Sequence, residues 1–156
     1  MKILVTGGLG YIGSHTAVEL QNEGYDVLII DNLSNSSIEV LDGIQAITGK
    51  RPHFEKLDLK QKQDVRDFFK KHPDIGGIIH FAASKAVGES VQNPLMYYEN
   101  NINTLVYILQ ELQGLNHKNF IFSSSCTVYG QADELPITED APVKPAESPY
   151  GNTKQI

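Results

Sequence analysis

Three glycines spaced three residues apart follow the first apolar run of the chain. Gly7, Gly10 and Gly13 come directly after the predicted strand Lys2–Val5, and positions 8–13 match the pattern G-x-G-x-x-G. A strand that ends in such a turn and opens into a helix lets the backbone approach a diphosphate closely, and the helix start adds N–H donors. The pattern therefore predicts a βαβ unit that holds the diphosphate of a dinucleotide.

Apolar runs alternate with helical patterns along the rest of the chain, which is typical of a parallel sheet with helices on both faces. The predicted strands are Lys2–Val5, Asp26–Ile30, His53–Lys56, Gly77–Phe81 and Asn119–Phe122. The predicted helices are Tyr11–Glu23, Ile38–Ile47, Lys62–Lys71 and Leu95–Gln113, with another that begins at Tyr150. We expect an α/β fold, a Rossmann-type doubly wound sheet forming one domain over residues 1–156, with a long loop over 131–148.

Charge and composition argue against several classes of protein. The formal net charge of -6 disfavours a broad surface for nucleic acid. No apolar run approaches the roughly 18 residues of a membrane span, and the start lacks a signal-peptide pattern. The single cysteine, Cys126, cannot form an intrachain disulfide, and we expect it to be a packing residue. We therefore expect a cytoplasmic protein with no nucleic-acid or membrane partner.

An acidic residue stands where a ribose-binding carboxylate is expected. Asp31 follows the second predicted strand, eighteen residues after Gly13. Its charge favours NAD over NADP because it would repel a 2′-phosphate, and no arginine follows nearby. Asp58, at the end of the third strand, has two interpretations that the residues leave open, a cap of the next helix or a contact to adenine.

A tyrosine and a lysine lie one helical turn apart near position 150. An ammonium beside a phenol favours the phenolate and lowers its pKa from about 10. Tyr150 beside Lys154 could therefore act as a general base on a hydroxyl, although such pairs also occur by chance on surface helices. The serines 123–125 end the fifth strand at the same edge of the sheet; they are either a polar strand end or hydroxyl groups for the reacting oxygen.

The five histidines show no metal-ligand spacing, so we propose no metal site. They are His15, His53, His72, His80 and His117. His80 lies inside an apolar strand and is predicted to be a core residue with its hydrogen bonds satisfied. No G-x-S-x-G elbow is present, which argues against a nucleophilic serine.

Three segments resemble a known family. They are Phe-Ala-Ala-Ser-Lys-Ala-Val-Gly-Glu-Ser at 81–90, Ser-Ser-Ser-Cys-Thr-Val-Tyr-Gly at 123–130 and Ser-Pro-Tyr-Gly-Asn-Thr-Lys at 148–154. The chain resembles the UDP-glucose 4-epimerases of the extended short-chain dehydrogenase/reductase family from the glycine turn to its last residues. The resemblance implies an isomerase that interconverts UDP-galactose and UDP-glucose, in galactose metabolism, by transient NAD-dependent oxidation at C4 of the sugar.

The resemblance also implies roles for individual residues. Tyr150 is the catalytic base, Lys154 favours its ionised form and binds the nicotinamide ribose, and Ser125 hydrogen-bonds the 4-hydroxyl. Lys85, Ser125 and Tyr150 are the implied contacts of the UDP-hexose substrate. The candidate cofactor contacts are Gly7, Gly10, Tyr11, Ile12, Gly13, Asp31, Asn32, Asn35, Asp58, Leu59, Phe81, Ala82, Ala83, Lys85, Asn100, Ser123, Tyr150 and Lys154.

Members of this family have a C-terminal substrate domain, so we expect residues 1–156 to be its N-terminal part and to be inactive alone. The resemblance also implies a homodimer of the full-length protein, formed by the long helix and the helix at Tyr150. Two alternatives are a sugar-nucleotide 4,6-dehydratase and a non-catalytic dinucleotide-binding protein. The dehydratases carry an Asp-Glu pair where this chain has Cys126 and Thr127, and a non-catalytic protein would be expected to lose Tyr150 or Lys154.

Overall fold

The described part of the chain contains one parallel sheet. The computed structural model describes residues 1–116 and 119–156. Its strands are β1 (Lys2–Thr6), β2 (Asp26–Asp31), β3 (His53–Lys56), β4 (Ile75–His80) and β5 (Asn119–Phe122). They pair in parallel in the order β3-β2-β1-β4-β5. This is the order of a doubly wound nucleotide-binding sheet, so the predicted fold class is confirmed.

Helices connect the strands and close the chain. They are α1 (Tyr11–Asn22), α2 (Val40–Thr48), α3 (Lys62–Lys71), α4 (Val87–Gln92), α5 (Pro94–Tyr98), α6 (Thr104–Leu112) and α7 (Pro149–Gln155). A π-helical segment, Glu99–Asn103, joins α5 to α6, and a 3-10 helix covers Cys126–Tyr129. The predicted helix Leu95–Gln113 is therefore helical with a wider turn inside it, whereas α4 was not predicted because six residues show no clear periodicity. Among the described helices, none is long and apolar enough to cross a membrane.

The chain forms two compact units. The first comprises residues 1–82 and 105–123, and it contains the sheet. The second comprises residues 83–104 and 124–156, and it contains α4, α5, the π-helical segment, the 3-10 helix and α7.

Both faces of the sheet in the first unit are covered by helices. Leu4 of β1 belongs to a buried cluster with Phe68 of α3 and Ile108 of α6. The next residue, Val5, belongs to a second cluster with Ala17 of α1 and with α2. Because successive strand residues point to opposite faces, this division shows that α3 and α6 cover one face and α1 and α2 the other.

A buried hydrogen bond joins β1 to β4 beside the glycine turn. Thr6 Oγ1 lies 2.7 Å from Nδ1 of His80, its register partner, and both side chains are buried. The prediction that His80 is a satisfied core residue is thus confirmed. Thr6 Oγ1 also accepts a hydrogen bond of 3.2 Å from the Ala82 amide, so one hydroxyl ties the end of β1 to the residues that follow β4.

We predict that Thr6→Val lowers the free energy of unfolding by about 1–3 kcal/mol, because it removes a buried hydroxyl with two partners and leaves its volume unchanged. Urea unfolding monitored by circular dichroism measures the change. Thr16→Val is the matched control, since the Thr16 hydroxyl bonds only its own helix at Ile12, and we expect a change below about 0.5 kcal/mol. Equal stability of Thr6→Val and the parent protein would contradict this account.

Candidate functional site

The predicted site residues divide between the two units. The first unit contains Gly7, Gly10, Tyr11, Ile12, Gly13, Asp31, Asn32, Asn35, Asp58, Leu59, Phe81, Ala82 and Ser123. The second contains Ala83, Lys85, Asn100, Ser125, Tyr150 and Lys154.

Backbone crowding explains the glycines of the turn after β1. Gly7 has φ of +64°, and a Cβ there would lie 2.8 Å from the Ala82 nitrogen. A Cβ on Gly13 would lie 2.4 Å from the Gly7 carbonyl oxygen. Both neighbours are backbone atoms that cannot rotate away, so these positions tolerate only glycine. The glycine turn and Ala82, after β4, therefore lie against each other.

The start of α1 presents backbone N–H donors, and no carboxylate of the helix itself lies beside them. Gly10 is the N-cap residue and supplies no side-chain cap, and the first turn of α1 contains no acidic residue. The first helical bond runs from the Ser14 amide to the Gly10 carbonyl, at 2.9 Å, so the preceding amides of Tyr11, Ile12 and Gly13 lie before the helical ladder. Such a helix start suits a diphosphate, which would receive these N–H groups and the positive end of the helix dipole.

The carboxylate of Asp31 is held by the two loops around it. Oδ2 accepts the Leu9 amide of the glycine turn at 3.1 Å, and Oδ1 accepts the Leu33 amide at 2.9 Å and the Ser36 hydroxyl at 2.8 Å. Leu33 has φ of +62°, which an L-residue seldom adopts, so the backbone is bent to bring its amide to Asp31. Three accepted bonds leave room on a carboxylate for a ribose hydroxyl.

The other predicted residues of the first unit lie at strand ends. Asp58 Oδ1 accepts the Lys60 amide at 3.0 Å, whereas the N-cap residue of α3 is Gln61. Asp58 therefore forms a local turn, and its interpretation as the helix cap is wrong.

Leu59 is buried in the core, and the Ser123 amide bonds the His80 carbonyl at 3.2 Å. Asn32 bonds the Ser34 amide, Asn35 is exposed, and Tyr11 and Ile12 are mostly exposed.

In the second unit, α7 carries the tyrosine and the lysine. Ser148 caps the helix by accepting the Gly151 amide at 3.0 Å, and Pro149 occupies the first helical position. Tyr150 and Lys154 are four residues apart on this helix, as predicted. The Lys154 side chain is only 8 % exposed, and burial lowers its pKa from 10.5 to about 8. The ammonium form still predominates at pH 7, by about ten to one.

A buried tyrosine supports the ring of Tyr150. The rings of Tyr97 and Tyr150 meet edge to face, with centroids 6.4 Å apart. The Tyr97 hydroxyl donates to Glu89 at 2.7 Å and accepts the Ala86 amide at 2.9 Å. Burial, with the Glu89 hydrogen bond, raises the pKa of Tyr97 to about 12. Tyr97 therefore stays neutral at pH 7 and well above it.

Within the second unit, Asn101 of the π-helical segment connects α7 to Ser84, which lies shortly before α4. Its amide accepts the Ser84 N–H at 2.8 Å and donates to the Ser84 carbonyl at 2.9 Å. It also donates to Thr153 at 3.0 Å, and the Thr153 hydroxyl donates to the Tyr150 carbonyl at 2.7 Å. The predicted contact Asn100 is the adjacent residue and donates to the Ser84 hydroxyl at 3.2 Å. This network fixes the helical turn that contains Tyr150.

Ser125 is the N-cap of the 3-10 helix. Its hydroxyl oxygen accepts the Thr127 amide at 3.3 Å and the Thr127 hydroxyl at 3.0 Å, which leaves its own hydrogen as a donor. The polar strand end is therefore a turn with an oriented hydroxyl. Cys126 is exposed, so its prediction as a packing residue is wrong, because the turn directs this side chain outward. Lys85 is exposed and Ala83 is half-buried.

Sequence reasoning missed the residues that hold the predicted ones in place. They are Thr6, Leu9, Ser36, Tyr97, Asn101, Thr153 and Gln155. One signal was available, because Tyr97 and Asn101 are four residues apart and so share one face of a helical segment. Both side chains carry polar groups, so the sequence did not indicate that they are buried. The others bond backbone groups or single polar side chains, and no periodic residue pattern reveals such contacts.

Metal ligands do not cluster in the described residues. No group of three or more His, Cys, Asp or Glu side chains in ranges 1–116 and 119–156 is arranged to hold an ion. One of the five histidines, His117, lies outside the described residues.

We predict that Lys154→Met stabilises the chain at pH 7, by at most about 3 kcal/mol, because the buried ammonium is costly. The folded pKa lies below the unfolded one, so the unfolded chain binds more protons between about pH 8 and 10.5. The parent protein therefore gains stability as the pH rises through this window. The difference in free energy of unfolding between Lys154→Met and the parent becomes smaller. Urea unfolding at pH 7, 8, 9 and 10 measures both trends.

The matched control for this titration is Lys85→Met, which changes an exposed lysine of the same unit. We expect its stability to differ from that of the parent by less than about 0.5 kcal/mol, without a trend above pH 8. A constant difference between Lys154→Met and the parent from pH 7 to 10 would show that Lys154 is not desolvated.

Known proteins with similar sequences and structures extend beyond this chain. A UDP-glucose 4-epimerase from Bacillus subtilis is 50 % identical over 154 residues, which are 99 % of this chain and 45 % of that protein. Another from Haemophilus influenzae is 48 % identical over 156 residues, covering 100 % of this chain and 46 % of the relative. The chain thus spans about half the length of the curated relatives it matches.

Solved structures show the same similarity. A UDP-glucose 4-epimerase from Bifidobacterium longum, in complex with NAD+ and UDP, has a TM-score of 0.93 and 44 % identity over 99 % of this chain and 46 % of that one. The enzyme from Stenotrophomonas maltophila, with bound NAD and formylated UDP-arabinopyranose, has a TM-score of 0.91 and 44 % identity over 99 % of this chain and 45 % of that one. Residues 3–156 match the NAD dependent epimerase/dehydratase family. The chain belongs to this family.

Proposed function

We propose that this chain is the cofactor-binding and proton-transferring part of a UDP-glucose 4-epimerase, an isomerase that interconverts UDP-galactose and UDP-glucose in galactose metabolism. The observation that carries the proposal is the pair Tyr150 and Lys154 on α7, in which the lysine is buried and still cationic at pH 7. The family and the printed activities of the relatives support it. We further propose that residues 1–156 belong to one NAD-binding domain.

The residues of the first unit fit NAD. The glycine turn admits a close approach to backbone, and the start of α1 offers amides for a diphosphate. Asp31 presents a carboxylate, which attracts ribose hydroxyls and repels a 2′-phosphate, so we propose NAD rather than NADP. The proposed cofactor contacts are those named from the sequence, from Gly7 to Lys154. The two solved relatives described above contain NAD, which supports this cofactor.

The chain's own side chains would move one proton and orient one sugar. When bound, NAD would supply the hydride-transfer chemistry for oxidation of C4 and its reduction on the opposite face. Tyr150 would remove the proton of the 4-hydroxyl and give it back after the sugar has turned. The Lys154 ammonium would favour the ionised phenol, and the Ser125 hydroxyl would donate a hydrogen bond to the reacting oxygen. Lys85, which is exposed, is a proposed contact of the UDP-hexose.

The turn after Ser125 favours epimerisation over dehydration. Elimination of water needs a second acid and base close to the sugar. The residues that follow Ser125 are Cys126, which is exposed, and Thr127, whose hydroxyl donates to Ser125. A thiol and an occupied hydroxyl cannot replace a pair of carboxyl groups. The second family activity, dehydration, therefore has less support in this chain.

We also propose that the whole protein has this activity, forms a homodimer and is located in the cytoplasm. We propose that the dimer involves the helical stretch from Pro94 to Leu112 and α7, and that residues 1–156 alone convert no UDP-galactose. The inactivity of residues 1–156 has a direct test, because any conversion of UDP-galactose by the isolated chain would contradict it.

We predict that the chain binds NAD and that Gly13→Ala weakens binding at least about tenfold, since a Cβ would lie 2.4 Å from the Gly7 carbonyl and distort the turn. Isothermal titration calorimetry with NAD measures the affinity. Gly43→Ala is the matched control, because the space around Gly43 is open, and its affinity should equal that of the parent. Equal affinity of Gly13→Ala and the parent would place NAD away from this turn.

The activity can be tested in a chimera in which this chain replaces the matching 154 residues of the Bacillus subtilis relative. We predict interconversion of UDP-galactose and UDP-glucose, reduced about a hundredfold or more by Tyr150→Phe because the proton acceptor is lost. Tyr129→Phe is a control at a tyrosine with no proposed role. An NAD-bound chimera with unchanged activity after Tyr150→Phe would refute the assignment of the base.

A further inference from the structure

Helix α7 has a second contact face beside the one that carries Tyr150 and Lys154. Gly151 and Gln155 are also four residues apart, and each follows a proposed catalytic residue by one position. On an α-helix this places them on an adjacent stripe, about 100° around the axis. In the second unit, this stripe contacts the 3-10 helix and the loop before Ser148.

The Gln155 amide bonds two separate segments. Its Nε2 donates to the Val128 carbonyl at 2.7 Å and to the Lys144 carbonyl at 2.6 Å. Both N–H bonds of one amide group are therefore used, and both acceptors are backbone oxygens. Val128 belongs to the 3-10 helix whose N-cap is Ser125, so Gln155 connects the helix of Tyr150 to the turn of Ser125.

Gly151 makes the complementary contact one turn earlier. A Cβ at this position would lie 3.3 Å from the Thr127 Cβ and 3.2 Å from the Ala146 Cβ, tighter than ordinary packing. The backbone of α7 thus lies directly against the same two segments that Gln155 bonds. Contact at one point would permit rotation of the helix, whereas two contacts a turn apart fix both its rotation and its position along the axis.

We propose that Gln155 is a positioning residue, whose two hydrogen bonds fix α7 against the Ser125 turn so that Tyr150, with Lys154 beside it, and Ser125 meet at one substrate oxygen. The catalytic part of this statement rests on the proposed function. The positioning part stands on the contacts of Gln155 and Gly151 alone. An apolar residue of equal length would leave the Val128 and Lys144 carbonyls without these donors and would loosen the end of the helix.

The Lys154 ammonium is a probe of the position of α7, because its burial depends on how closely the helix packs against the neighbouring segments. Its pKa is lowered to about 8 by burial. The titratable and charged groups on α7 and on the segments packed against it are Glu89, Tyr97, Tyr98, Cys126, Tyr129, Lys144 with its partner Asp133, Glu147 and Tyr150. Substitution of Gln155 by a neutral residue changes none of these charges, so a shift in the pKa of Lys154 would report a change in the position of its ammonium group.

The test is a titration of the Lys154 side chain by nuclear magnetic resonance in the 156-residue chain, with the resonance assigned by its loss in Lys154→Met. In Gln155→Met we expect the pKa of Lys154 to rise by at least about one unit towards its ordinary value. Gln92→Met, the same change on an exposed helical glutamine of the same unit, should leave it unchanged. Gln155→Asn, which keeps the amide on a shorter side chain, should raise the pKa of Lys154 by less. It replaces Gln155→Met in the test if that variant does not fold.

An unchanged pKa of Lys154 in a folded Gln155→Met or Gln155→Asn variant would overturn the positioning role. This outcome is distinct from failure of the proposed function, which would appear as absent NAD binding or an inactive chimera while the Lys154 shift persisted. In the chimera, a positioning role further predicts that Gln155→Met lowers kcat at least about tenfold and changes KM for the sugar nucleotide less than about twofold.

Discussion

The central position of β1 in the parallel sheet is the constraint on which the first unit depends. Its residues from Leu4 to Thr6 are fully buried between β2 and β4, so both neighbours must end at the same edge as the glycine turn. At that edge the Gly7 backbone touches Ala82, and the Leu9 amide reaches Asp31. Strand register therefore brings the turn, the Asp31 carboxylate and Ala82 together, and their own contacts complete the arrangement.

The second unit is organised by a different constraint, the attachment of a short helix. Seven residues are too few for a stable isolated helix, so α7 depends on its cap at Ser148 and on contacts from Asn101, Tyr97 and Gln155. These contacts must also hold an ammonium in a buried position, which reduces stability. Catalytic proteins commonly tolerate such local costs where chemistry needs them.

The sequence predicted the features that arise from local pattern. Alternating apolar runs gave the five strands in order, and the glycine spacing and Asp31 located the turn, because these signals are contained within a few residues. Of the two interpretations left open for Asp58, the helix cap was wrong, and so was the predicted packing of Cys126, since both depend on how the chain turns after a strand. The supports of the site, from Thr6 to Gln155, were not predicted because they act through individual polar contacts, many of them between segments distant in sequence. Apart from the helical spacing of Tyr97 and Asn101, no local pattern in the sequence indicates these contacts.

We propose that this chain serves an epimerisation in which hydrogen leaves C4 of the sugar as hydride and returns to the same carbon. The most direct measurement uses the chimera with UDP-galactose that carries deuterium at C4, in ordinary water, with the product analysed by mass spectrometry. The account predicts that UDP-glucose retains the deuterium, because the hydride never exchanges with solvent. Replacement of the deuterium by solvent hydrogen would show removal of a proton from C4 and would contradict the account.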